Sequence, residues 1–329
     1  MSANAAKLLL QHYVDNFRRL PWRSPPGSPP PEPYRVWLSE VMLQQTTVAT
    51  VTPRFERFLE CWPTVEALAA APEPDVLQEW AGLGYYARAR NLIACARKVA
   101  QLGGFPADEA GLRELPGIGA YTAAAIAAIA FGKDATPVDT NVERVVARLR
   151  GLAGKAAIRA AAVAMTPPGQ AGDFAQALMD LGSSICRPRT PFCSSCPLAG
   201  ECRAFALGTP EAFPSPKARR VRPQKYGIAW WIERDNCVWL VRRPAKGLLG
   251  GMAALPGPDW RDEPGSGPAI ARIRHVFTHF ALELSVTAAP GPVGEGWWQP
   301  LDRIDEAGLP TLYRRAAEAV LSNGTALAA

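Results

Sequence analysis

Leu115-Pro116-Gly117-Ile118-Gly119, running into Ala120-Tyr121-Thr122-Ala123-Ala124-Ala125-Ile126-Ala127-Ala128-Ile129-Ala130-Phe131, decides how this chain folds. The run from Ala120 to Phe131 is mostly alanine and too short to span a bilayer, so it predicts a tightly packed buried helix. The two glycines allow a sharp turn and a close approach of backbone to a ligand. Free N–H groups at the start of the helix then form an anion site. Gly-x-Gly alone is a weak signal, and a plain interhelical turn is the alternative. Leu-Pro ahead of it and an apolar helix behind it favour a hairpin that holds phosphate without reading sequence.

Downstream stands Val138-Asp139-Thr140-Asn141-Val142-Glu143-Arg144-Val145. Thr140 and Glu143 fit the T-x-x-E capping box, which predicts a helix start there. Asp139 then sits at the positive end of the helix dipole, which favours its carboxylate. Taken alone, an Asp in this place is a cap. Upstream, Glu40 lies among Val36, Trp37, Leu38, Val41, Met42 and Leu43. Such surroundings desolvate a carboxyl and keep it protonated closer to neutral pH. One protonated and one ionised carboxyl is the pairing that breaks a glycosidic bond through an oxocarbenium-like state.

Cys186, Cys193, Cys196 and Cys202 follow with the spacing C-x6-C-x2-C-x5-C. Thiolates that close together ligate a metal centre, and the spacing suits either zinc or an iron–sulfur cluster. Disulfides are the alternative, and they are rare in reducing compartments. The first 20 residues lack the layout of a signal peptide and contain Asp15, so a cytoplasmic protein is expected.

The chain has 329 residues, 48% hydrophobic and 20% charged, with a net charge of +6. This is globular composition with a modest lean toward a polyanionic partner. Residues 81–107 carry Arg88, Arg90, Arg97 and Lys98 with no acid. Helical periodicity marks Val36–Leu59, Leu92–Leu102, Tyr121–Phe131, Val142–Leu149 and Phe174–Ile185. Residues 207–224 hold Pro210, Pro214, Pro216 and Pro223 among basic residues and predict an extended linker. Beyond it, Tyr226–Glu233, Val238–Arg243 and His275–Ala288 read as strand regions and Leu312–Leu321 as a helix. The expected division is 1–206, mostly helical, a linker 207–224, and a small α+β domain 225–329.

The segments SEVMLQQTTVATV, GLGYYARARNL, LPGIGAYTAAAIAAIAFG and VDTNVERVVARL, with the cysteine loop, closely resemble the adenine DNA glycosylases of the MutY family. That family lies in the helix–hairpin–helix superfamily with endonuclease III. The resemblance runs from about Leu8 to Leu321 and implies a helix–hairpin–helix glycosylase domain with an iron–sulfur loop, then a small Nudix-like α+β domain. It implies one 4Fe–4S cluster on Cys186, Cys193, Cys196 and Cys202, rather than zinc. Its implied partner is double-stranded DNA carrying adenine opposite 8-oxoguanine or guanine, met by a monomer, near the nucleoid and away from membranes.

By the same resemblance Glu40 protonates adenine at N7 and later helps activate water. Asp139 stabilises the cationic sugar, through a covalent intermediate, and Asn141 helps place Asp139 and the water. Tyr121 stands where lyase relatives carry lysine. A phenol cannot form a Schiff base, so cleavage of the base without efficient nicking of the strand is expected, with the Tyr121 phenol supporting the reacting sugar and Asp139. Trp22, Arg23, Leu43 and Gln176 match adenine-pocket positions, Arg23 and Gln176 as readers of the base edge. Gln45, with Thr46 beside it, and Tyr85 match wedge positions that compensate for extruding a nucleotide. Leu115, Gly117 and Gly119 match the phosphate hairpin.

Phe277, Thr278 and His279 match the family's Phe-Ser-His trio for 8-oxoguanine, with Thr for Ser. Gly247–Met252 has the turn of a Nudix hydrolase with no carboxylate cluster after it, so hydrolysis there is not expected. Thr140 replaces the usual Gly, and Ala253-Ala254-Leu255-Pro256 replaces a Trp-Glu-Phe-Pro. Two other readings are a related mismatch glycosylase for another base and a non-catalytic iron–sulfur binder of lesions.

Overall fold

The computed structural model describes residues 2–215, 221–244, 247–265 and 267–327. Lys217, Arg219 and Arg220 of the expected linker lie outside the described residues. The chain divides into two compact units, Met1–Ala71 with Asn91–Ala218, and Pro72–Arg90 with Arg219–Ala329.

The helices in chain order are α1 (Ser2–Asn16), α2 (Pro33–Leu43), α3 (Val48–Cys61), α4 (Val65–Ala70), α5 (Glu73–Glu79), α6 (Tyr86–Leu102), α7 (Glu109–Arg113) and α8 (Ala120–Phe131). They continue with α9 (Thr140–Arg150), α10 (Lys155–Met165), α11 (Ala171–Ser184), α12 (Arg203–Ala206) and α13 (Thr311–Leu327). The strands are β1 (Gln224–Trp231), β2 (Glu233–Arg234), β3 (Cys237–Arg242), β4 (Ala253–Ala254), β5 (Ala271–Val276), β6 (Ala281–Ala288) and β7 (Gly296–Pro300).

In the first unit α8 is buried from Thr122 to Ile129 and packs against α2 and α11. Its alanines permit that approach, as does Gly172 of α11, where a Cβ would lie 2.7 Å from the Ala128 carbonyl oxygen. The alanine-rich run of the sequence is thus a central helix, as its composition predicts. α8 and α9 each end on a left-handed glycine, Gly132 and Gly151, which closes the last turn without a Cβ penalty. Trp37, Phe55, Phe58 and Phe174 are enclosed completely, which stabilises the fold by roughly 1.5–3 kcal/mol each. A second cluster joins α1, α9, α10 and α11, and Cys186, Cys196 and Cys202 pack against it.

The run Val36–Leu59 is two helices rather than one. Gln45 takes a left-handed φ of 59° between them, and the Thr47 hydroxyl caps α3 by accepting the Thr50 N–H at 3.3 Å. The start of α9 also differs from the capping-box expectation. Asp139, not Thr140, is the cap, its Oδ1 accepting the Val142 N–H at 2.7 Å.

In the second unit β1, β6 and β5 form one sheet, β1 parallel to β6 and β5 antiparallel to it. β2, β3, β4 and β7 form another, with β3 paired to each of the others. Leu282, Leu284 and Val286 alternate into the core, where Leu312, Tyr313, Ala316, Ala317 and Val320 of α13 meet them. The strand region His275–Ala288 is a hairpin arm, a tight reversal and β6, because the Phe277 N–H bonds the Phe280 carbonyl at 2.9 Å. Phe277, Thr278 and His279 therefore sit at a hairpin tip. β7, which carries the pair Trp297-Trp298, begins on Gly296 and ends on Pro300, residues that weaken a strand signal in sequence.

Candidate active site

A cavity of about 510 Å³ opens in the first unit where α2, the start of α8, the start of α9 and the face of α11 converge on the loop before α2. Glu40 reaches it from a helix buried from Val36 to Met42 and is only 9% exposed. Burial pushes its carboxyl up to about 7. A hydrogen bond from the Tyr121 hydroxyl opposes that shift, the Asp139 charge adds to it, and Arg23 opposes it. Tyr121, on the first turn of α8, is itself held well above the ordinary phenol value by burial and then by the charges of Glu40 and Asp139. It therefore stays a neutral donor.

Asp139 faces the same space from the N-terminus of α9. Its Oδ1 takes the Val142 N–H, and its Oδ2 takes the Asn141 Nδ2–H at 2.8 Å. Asn141 is fixed in turn by Arg144, whose Nη2 donates to its Oδ1 at 2.8 Å and to the Gly182 carbonyl at 2.7 Å. The Arg144 Nε donates to the Cys186 carbonyl at 2.8 Å. The acidic side chain is thus tied by one chain of hydrogen bonds to the cysteine loop. Thr140 stands exposed at the cavity wall, and its carbonyl accepts from Arg144 at 3.2 Å.

Trp22, Arg23, Leu43, Thr46 and Gln176 line the cavity with these groups. Trp22 is packed edge-on against Phe55 at 5.2 Å and forms a rigid apolar wall. The Gln176 amide donates to the Gly172 carbonyl at 3.4 Å. Arg23 is an ion-pair partner: its Nη1 lies 2.6 Å from Asp180 Oδ2. Asp180, Arg18, Ser183 and Arg144 are site residues the sequence reading did not single out. Helical spacing carried a signal for Asp180 and Ser183, which lie one and two turns on from Gln176 along α11. Gln45 does not line the cavity, whereas Gln44 does.

The hairpin stands between α7 and α8. Gly117 takes a φ of 76°, and a Cβ there would come 2.8 Å from the Asn91 Cβ. The Ile118 N–H closes the turn on the Leu115 carbonyl at 3.2 Å, and Gly119 caps α8 with no side-chain bond. A helix start with no side-chain cap leaves N–H groups that can take an anion. In the second unit Tyr85 is 49% exposed, with a φ of 49°, at the end of a turn containing Gly82 and Gly84. Its hydroxyl lies 2.7 Å from the Thr278 hydroxyl at the hairpin tip. Phe277 stacks on Trp260 at 5.5 Å, and His279 is exposed.

None of Cys186, Cys193, Cys196 and Cys202 is joined in a disulfide. Among the described residues no group of three or more His, Cys, Asp or Glu is arranged to hold a single metal ion. Arg148, buried beneath the loop, donates to the Arg187 carbonyl at 2.6 Å, the Pro188 carbonyl at 2.9 Å and the Cys186 sulfur at 3.5 Å. Backbone N–H groups of Leu198 and of Ala204 and Phe205 point at the sulfurs of Cys196 and Cys202. No helix among the described residues is long and apolar enough to cross a membrane.

Comparison with known proteins accords with this geometry. Residues 38–167 match the HhH-GPD superfamily of base excision DNA repair proteins, and residues 227–319 match the NUDIX domain. A thermostable thymine-DNA glycosylase is similar in structure, with a TM-score of 0.56 and 29% identity over 63% of this chain and 97% of its own. A trapped endonuclease III–DNA covalent intermediate aligns with a TM-score of 0.53 and 26% identity over 62% of this chain and 95% of its own. Fold and cavity together define a base excision DNA glycosylase with a Nudix-like second unit. Among curated proteins, the adenine DNA glycosylase of Mus musculus is 33% identical over 88% of this chain and 72% of its own length. That of Homo sapiens is 44% identical over 77% and 57%, and that of Mycolicibacterium smegmatis 41% over 64% and 72%. The chain belongs to the adenine DNA glycosylase family.

Proposed function

We propose that the chain is a monofunctional glycosylase that extrudes and excises adenine lying opposite 8-oxoguanine or guanine in duplex DNA. The observation that carries this reading is the pairing inside one cavity. Glu40 is held near a neutral pKa by burial, and Asp139 has both oxygens engaged as acceptors. The glycosidic bond breaks with its electron pair leaving on the base, and Glu40 delivers the proton that neutralises it at N7. Asp139 stabilises the cationic sugar, through a covalent bond to C1′ that water then displaces. The Glu40 carboxylate takes the proton of that water and returns to its starting state. Asn141 holds Asp139, and Tyr121 holds Glu40. Trp22, Arg23, Leu43 and Gln176 form the pocket for the flipped base.

Extrusion costs a few kcal/mol of unstacking. Gln45, on a left-handed residue beside the cavity, and Tyr85 act as wedges, with Thr46 behind Gln45. The hairpin of Leu115, Gly117 and Gly119 grips the phosphates. Phe277, Thr278 and His279 read 8-oxoguanine, and the shared Tyr85–Thr278 hydrogen bond supports placing wedge and reader together. We assign residues 1–206 to excision and 225–329 to lesion recognition in a monomeric protein of the cytoplasm, associated with the nucleoid.

Cys186, Cys193, Cys196 and Cys202 would hold the 4Fe–4S cluster that the family resemblance implies. The donors aimed at their sulfurs, from Arg148 and from backbone N–H groups, fit thiolate ligands. When bound, the cluster supplies a rigid core to the loop and no step of excision. Iron content and a visible thiolate–iron band test it, and stoichiometric zinc contradicts it.

The likeness to a thymine-DNA glycosylase favours one second reading, removal of thymine from a mispair. Single-turnover base release from duplexes that differ only in the mispair separates the two. Adenine release opposite 8-oxoguanine supports the first reading, and release of thymine alone overturns it. Strand breaks that appear only after alkali support monofunctional cleavage.

A further inference from the structure

Besides Glu40 and Asp139, another acidic group faces the cavity and has no role in the steps above. Asp180 lies on α11, and its two oxygens take one arginine each. Oδ2 lies 2.6 Å from Arg23 Nη1 and Oδ1 lies 3.5 Å from Arg18 Nη1. Arg18 also donates to the Ser183 hydroxyl at 3.2 Å. The Arg23–Asp180 pair is nearly enclosed, with side-chain exposures of 8% and 12%. A surface ion pair contributes little, but one this deep leaves an uncompensated charge when either partner is lost.

Where that charge would fall matters. Glu40 is faced by Tyr121 from α8, by Asp139 from the start of α9 and by Arg23 from the loop before α2. Arg23 is the cation among them. Behind it stand Asp180 and Arg18, and Tyr13 of α1 faces the Arg23–Asp180 pair. We propose that Asp180 is a positioning residue for excision: it clamps Arg23 against the cavity wall and cancels its charge beside Glu40. The inference rests on the reading of Glu40 as proton donor. Without Asp180 the guanidinium of Arg23 favours the Glu40 carboxylate, and the enzyme loses its acid at a lower pH. Without Arg23 the bare Asp180 carboxylate favours the protonated form, and the loss moves to higher pH.

Asp180→Asn keeps the shape and one acceptor for Arg23. Single-turnover adenine release is measured across pH for the full-length, metal-loaded wild type, D180N, R23Q and the double variant. The expected D180N profile has its alkaline limb about one pH unit lower. Its rate then falls about eight-fold near pH ~7.5 and less than about two-fold near pH ~5.5. R23Q shifts the limb upward, whatever its loss of rate, and the double variant returns it to the wild-type position. A D180N loss of equal size at every pH, or an R23Q limb that does not rise, overturns the proposal. R23Q keeps the test open if D180N fails to fold. Carboxyl-carbon NMR titration of Glu40 in the DNA-free proteins reads the same shifts without turnover. A wild type that releases no adenine while these shifts appear sinks the reading of the site, and upholds only the cancelling of the Arg23 charge by Asp180 beside Glu40. Adenine release with unshifted titrations does the reverse.

Discussion

A glutamic acid on a helix buried from Val36 to Met42 is costly unless its proton stays on. Burial is the largest cause of the raised Glu40 pKa, with Tyr121, Asp139 and Arg23 adjusting it. Its folded value of about 7 lies above the ordinary 4.5, so the protonated form is favoured by folding. Stability is then full below about pH 4.5, declines as pH rises toward about 7, and levels off above it. The span corresponds to about 3 kcal/mol. Glu40→Gln removes this cost. We expect the variant to melt higher than wild type above about pH 7, with the gap closing below about pH 4.5, as read by calorimetry at both ends. Equal melting curves at all pH values would show that Glu40 is not desolvated. Its burial was legible in the sequence because Trp37, Leu38, Val41, Met42 and Leu43 flank it, with Ser39 the one polar residue among them. Asp180 was not, since an Asp in Leu178-Met179-Asp180-Leu181 looks like any polar position on a half-buried helix. Only its ion partners, some 160 residues earlier in the chain, give it meaning.

At the scale of elements the site depends on how closely α9 and α11 approach. Gly182 of α11 sits where a Cβ would lie 2.6 Å from the Asn141 Cβ and 3.1 Å from its Cα. Gly182→Ala therefore pushes back the start of α9, and with it Asp139. Overpacking of this kind costs about 1–3 kcal/mol, while a shift of about 1 Å at a reacting group costs about 100-fold in rate. We expect base release to fall by that order with the fold retained. A variant that melts lower with undiminished release would separate Gly182 from the site.

The turn that presents Tyr85 makes a second element-scale case. Arg88 Nη2 donates to the Leu83 carbonyl at 3.0 Å, and the guanidinium lies 5.3 Å from the Tyr85 ring centroid. The Trp80 indole donates to the Gly84 carbonyl at 2.9 Å. These contacts hold a bulky residue in a left-handed conformation that costs about 1–2 kcal/mol. Arg88→Ala should free the turn and weaken duplex binding with a DNA-independent melting temperature nearly unchanged. Unaltered affinity in a binding titration would remove Arg88 from this role. The alternation and periodicity that marked α8, α9 and α11 came from burial, which sequence records. The break at Gln45 did not show, because Gln-Gln-Thr-Thr has no Gly or Pro and its left-handed residue is imposed by the cap that follows.

For the molecule as a whole, proline and basic residues replace helical periodicity near residue 207, while the compact units divide between Ala218 and Arg219. The grouping of Pro72–Arg90 with the C-terminal residues was not readable, because long-range contact leaves no trace in local composition. The cysteine loop packs on the cluster formed by α1, α9, α10 and α11, and Arg144 joins it to Asn141. If the proposed cluster is held there, Cys196→Ser should reduce excision as well as iron content, and full activity in iron-free protein would count against that coupling. The most direct test of the whole account is single-turnover release of adenine from a duplex pairing it with 8-oxoguanine, comparing wild type with Glu40→Gln. We predict release by the wild type and a drop of about 100- to 10,000-fold in the variant, with duplex affinity preserved. Equal rates from the two proteins would contradict it.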